Sequence, residues 1–190
     1  MSNFAENVGN FLKKQSQISL KEILESEAVA LNEIKRPPDL AGKTWVAFIL
    51  ISFRKVSIQF KCYYNAENLK PVTAKALHKE LEAVNDEHIR GHVKEFCNLT
   101  AGKLKSCLQD ILKLSASETS FTTAEASEIN KDSSGKDNGA ATSEAWTLTE
   151  GNGVQLICEC VCKVPEGVKI DLDMEMSTLV MDYQGQIEFY

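Results

Sequence analysis

The sequence predicts an α+β fold, an antiparallel sheet with helices packed on one face. Three observations predict it. Asp86 to Ile111 repeats its apolar residues with the period of a helix about seven turns long. Val56 to Tyr63 alternates: Val56, Ile58, Phe60 and Cys62 point one way, and Ser57, Gln59, Lys61 and Tyr63 the other. That is a strand with one dry face and one wet face. Gly153 to Val164 and Val168 to Thr178 read as a further pair of strands, with a turn at Pro165, Glu166 and Gly167. A sheet that is dry on one side must be covered there, and amphipathic helices are the available cover.

Bulk properties narrow the function classes. At 190 residues the chain is read as one domain, 1–190, with a polar insertion at about 115–145. Its apolar content of 43% is enough for a core, and its net charge is −6. There is no Lys/Arg stripe, so nucleic acid is not expected as a partner. No apolar run is long enough to span a membrane. The first residues lack the basic-then-apolar order of a signal peptide, so a cytoplasmic location is expected. The six cysteines are then expected to be reduced thiols rather than a disulfide framework.

In chain order, Phe4, Val8, Phe11 and Leu12 form a short helical stripe over residues 3–14. Leu20, Ile23, Leu24, Ala28 and Leu31 continue such a stripe through a second helical stretch, and Pro37-Pro38 ends it. Lys43 to Phe53, rich in β-branched and aromatic residues, reads as a buried strand that pairs with Val56 to Tyr63 as a hairpin. Asn65 to Lys70 reads as a break. Val72 to Val84 is then expected to be helical, with Pro71 at its start and Leu77, Leu81 and Val84 as its seam. Asn85 or Asp86 is expected to cap the long helix.

Leu114 to Ala145 is small and polar, with too little apolar surface to offset the entropy of ordering. It is expected to be largely a mobile loop, with Thr119 to Thr123 retaining a short strand. Cys158, Cys160 and Cys162 share one strand face and read as core thiols, because Cys-x-Cys on a strand splays its sulfurs too far for a zinc knuckle. Asp171, Asp173 and Glu175 read as the wet face of a strand rather than a metal site. His78, His88 and His92 read as surface residues on helices. Leu179 to Tyr190 supplies a last strand or an edge for a partner. There is no Walker-type loop, dinucleotide fingerprint or Ser/Cys nucleophile beside a His base.

The long helix carries the functional argument. With Val93 as the zero of a helical wheel, Ile89, Phe96, Thr100, Leu104, Cys107, Leu108 and Ile111 fall within about 60° of it. Glu95 and Asn98 fall at roughly 140–200°, one turn apart on the opposite side. Gly91 and Gly102 lie on that side too. Each costs the helix about 1 kcal/mol relative to Ala. What they provide is a low surface around a carboxylate and an amide, open to another protein's backbone.

The run Glu95 to Ser106, EFCNLTAGKLKS, resembles the signature helix of the CheC/CheX family, phosphatases of the phosphorylated chemotaxis regulator CheY. The likeness is nearest to the CheX-like branch, which carries one such helix. It is detailed in this helix and follows element order elsewhere. Two positions depart from the family pattern. Gly91 stands where the family has Asp or Ser, and no Pro occurs near Phe121 to Thr123. The resemblance implies a CheC/CheX-like fold and a phosphorylated CheY-like receiver domain as partner. It implies that Asn98 orients the attacking water and that Glu95 pairs with the receiver's lysine. Gly91, Lys94, Gly102 and Lys105 would belong to the partner-binding face. It implies no cofactor of the chain's own, with Mg²⁺ supplied by the receiver. A homodimer built by strand pairing is compatible with it. The alternative implication is a non-catalytic binding or scaffold module on the same fold.

Overall fold

Ten residues of strictly alternating burial, Val56–Asn65, make the strand on which the molecule is centred. The structure, a computed structural model, describes residues 3–38, 44–53, 56–112, 118–126, 140–151 and 153–165. Its elements in order are α1 (Asn3–Leu24), β1 (Val29–Ile34), β2 (Thr44–Phe53), β3 (Val56–Asn65) and α2 (Ala66–Ala76). A single 3-10 turn (Leu81–Ala83) leads into α3 (Asp86–Leu112), then β4 (Glu118–Glu125), β5 (Ala140–Glu150) and β6 (Gln155–Val164). The strands form one antiparallel sheet in the order β1-β5-β6-β3-β2-β4. The predicted fold class is the one observed: α1 and α3 lie side by side on one face of this sheet.

The core lies between that face and the helices. Phe60 of β3 stacks on Trp146 of β5 at 6.1 Å and 25°, and meets Phe96 of α3 at 6.1 Å. Phe4 of α1 packs edge-on to Phe53 of β2 at 6.2 Å. The indole N–H of Trp146 donates to Ser16 Oγ at 2.9 Å, so the one polar atom of this buried ring is satisfied by α1. On the outer face Glu159 accepts from Tyr63 and Ser143, each at 2.9 Å, and pairs with Lys61 at 3.0 Å.

Four sequence expectations are corrected. First, α1 runs unbroken to Leu24, and Ala28 and Leu31 are not helical. Glu25 takes φ 48°, Ser26 N–H bonds Lys21 O, and Glu25 N–H bonds Glu22 O. That left-handed cap ends the helix, and residues 29–34 then pair with β5. Second, the helix expected over Val72 to Val84 is instead Ala66–Ala76, with Pro71 inside it. Asn65 caps it by accepting from Glu67 N–H at 2.9 Å, while Leu77 and Leu81 are exposed. Third, the polar segment holds more strand than expected: β4 and the first half of β5 fall inside it, while 127–139 lies outside the described residues. Fourth, the described neighbours of β6 are β3 on one side and β5 on the other, where the sequence offers Val168 to Thr178. That stretch, with Asp171, Asp173 and Glu175, and the tail 179–190 lie outside the described residues.

Candidate functional site

Helix α3 begins with a reciprocal cap. Asn85 Oδ1 accepts from His88 N–H at 3.0 Å, and His88 Nδ1 accepts from Asn85 N–H at 3.2 Å. This is capping-box geometry with a histidine in the place of the usual glutamate. From there the inward stripe is set: Ile89, Val93, Phe96, Thr100, Leu104, Cys107 and Leu108 are all buried, joined by Cys97 and Ala101. Because Phe96 is held against Phe60, rotation of the helix about its axis is fixed. The residues on the far side are therefore held outward.

Glu95 and Asn98 are both exposed. So are Gly91, Lys94 and Gly102, while Lys105 is half-buried. A Cβ built at Gly91 or Gly102 would meet nothing within 4 Å. The six residues singled out from the sequence thus share one outward surface, with the carboxylate and amide one helical turn apart at its middle. Between Arg90 and Lys105 the helix carries four cations and one anion, Glu95, in a chain of net charge −6. The surface is locally positive around its single carboxylate.

Two neighbours of this surface were not legible beforehand. The Lys94 ammonium lies 5.6 Å from the centre of the Phe121 ring, which brings edge strand β4 alongside the helix. The alternation of Phe121 with small polar residues in β4 was the available signal. Beneath the helix, Cys97 joins Cys62 and Cys158, which face each other across β3 and β6. All three are buried, and burial pushes the Cys97 and Cys158 thiols well above the usual range. Thiols held protonated in this way pack as small apolar groups.

His92 differs from expectation. It is half-buried, its Nε2 is enclosed without a partner, and burial lowers its pKa. His88 is half-buried, and its ring is committed to the cap. Among the described residues no three His, Cys, Asp or Glu side chains are arranged to hold a metal, and no helix is long and apolar enough to cross a membrane.

No protein-family model matches the chain, and no curated protein does either. Solved structures do. A chain of the CheX–CheY–BeF3–Mg²⁺ complex from Borrelia burgdorferi matches with a TM-score of 0.60 at 13% identity, covering 82% of this chain and 97% of its own. A CheC-like superfamily protein from Shewanella sp. PV-4 matches at 0.58 and 15% identity, over 83% of this chain and 98% of its own. The chemotaxis protein CheX from Vibrio vulnificus matches at 0.54 and 13% identity, over 80% and 94%. The matches span about four fifths of this chain and nearly all of theirs, so the chain has the CheC/CheX-like fold.

Proposed function

We propose that this protein removes the phosphoryl group from the phosphoaspartate of a CheY-like receiver domain. The observation that carries the reading is the exposed pair Glu95 and Asn98, one turn apart on a surface lowered by Gly91 and Gly102. A structure that shares the fold is a CheX–CheY complex with BeF3 and Mg²⁺, which supports a receiver as the partner.

An amide side chain has no useful pKa and cannot act as a base, but it can hold a water by hydrogen bonds and aim it. Phosphoryl transfer asks mainly for positioning and charge stabilisation. In the proposed step, water held by Asn98 attacks phosphorus. The bond between phosphorus and the aspartyl oxygen breaks, the aspartate leaves as a carboxylate, and the water's proton passes to the phosphate formed. Glu95 pairs with a lysine of the receiver and sets the register. The cations that flank this ridge of α3 complement the receiver's acidic pocket, which raises encounter rates. The Mg²⁺ belongs to the receiver, and the chain brings no cofactor of its own.

The test is release of phosphate from a receiver phosphorylated in Mg²⁺, with and without the protein. Asn98→Ala should slow the catalysed reaction by about 10²-fold or more, the scale of losing one well-placed polar group. Its thermal melt should stay within about 0.5 kcal/mol of wild type, because the side chain is exposed. Full activity in Asn98→Ala would sink the mechanism. Receiver binding with no acceleration even by the wild-type protein would leave a binding module in its place.

A further inference from the structure

Lys94 precedes Glu95, yet its ammonium is turned onto an aromatic ring of its own chain rather than out over the helix surface. On the wheel Lys94 and Lys105 fall at about 100–120° from Val93, on the flank between the buried stripe and the Glu95/Asn98 ridge. The contact with Phe121 identifies that flank as the one facing β4. Strand β4 is an edge: among the described residues its one sheet neighbour is β2, where Phe121 pairs with Ile49. Its sequence is ETSFTTAE, so Phe121 is the single large apolar side chain by which it can be gripped. Phe121 is half-buried and Lys94 is exposed, an arrangement in which the charge stays hydrated while the ring is covered.

We propose that Lys94 is a positioning residue that acts through Phe121: the ammonium on the ring holds β4 against α3, and β4 is the side wall of the surface on which the receiver docks. The part concerning the receiver rests on the function proposed above; the part concerning β4 does not.

The test uses Lys94→Met, which keeps the stem without the charge, Lys94→Arg, which keeps a cation able to stack, and Phe121→Leu. Amide hydrogen exchange is followed in residues 119–125. Affinity is measured for a receiver treated with beryllofluoride and Mg²⁺, and KM and kcat for the phosphorylated receiver. Loss of an exposed cation–π contact should speed exchange in β4 and weaken receiver affinity by about two- to fivefold in Lys94→Met and Phe121→Leu. The change should appear in KM rather than kcat, and Lys94→Arg should restore both readouts. Unchanged exchange in Lys94→Met overturns the proposal, as does faster exchange at an unchanged receiver affinity. Lys94→Arg behaving like Lys94→Met overturns it too. Asn98→Ala run alongside separates the two readings: if it keeps full activity the catalytic assignment falls, while the exchange result on β4 still stands or falls by itself.

Discussion

His92 shows what one residue's environment does to the whole chain's response to acid. Burial disfavours its charged form, so its pKa in the folded protein lies below the ordinary 6.5. The unfolded chain therefore takes up that proton first as pH falls. Stability is full above about pH 6.5 and is lost as pH drops toward the folded value. Melting temperature should fall between pH 7 and pH 5, and His92→Gln should flatten that fall; equal slopes in the two proteins would refute the assignment. The same residue marks a limit of sequence reading. The periodicity of α3 alone assigned Glu95 and Asn98 to the outside, because the apolar stripe opposite them is unambiguous. His92 lies on a flank, and whether a flank is covered depends on neighbouring elements that one helix's pattern does not contain.

At the scale of elements, local capping chemistry was legible only in part. The sequence offers Asn85 or Asp86 as the cap of α3, and Asn85 is the one observed. The Asn65 cap of α2 was not legible, because Pro71 reads as a helix start whereas it sits inside the helix. The end of α1 had no glycine to announce it, since Glu25 itself takes the left-handed position. Gly91 and Gly102 stand in contrast: they are helical, and the structure leaves open space where a side chain would go. Replacing either with Ala should stabilise the protein by about 1 kcal/mol. For a chain of this size that is about 2–4 °C in melting temperature. If the low surface serves a docked receiver, the more stable variants should also be the slower phosphatases. A stabilised double variant with full activity would show that nothing approaches closely there.

The sheet as a whole was legible as a class but not as a topology. The β2–β3 hairpin follows from two adjacent apolar runs. The pairing of β6 with both β3 and β5 does not, because β5 begins in Ala140 to Glu144, where composition reads as loop, and its strand character comes from lying against a strongly apolar neighbour. Collectively the fold encloses every thiol: all six cysteines are unpaired and buried. A thiol reagent should therefore react with the native protein only as fast as it opens, and with all six groups at once in denaturant. Rapid labelling of any one of them in the native state would contradict the packing described.

The order of strands also makes the two sides of the molecule unequal. Among the described residues β1 and β4 stand at opposite ends, five strand spacings or roughly 24 Å apart, and only β4 adjoins the helix surface through Phe121. A second copy added along β1 would extend the sheet into a broad ribbon with both helix surfaces unobstructed and able to work at once. A copy added along β4 would crowd the ground on which the proposed receiver would stand, so growth of an assembly and access to that receiver would compete.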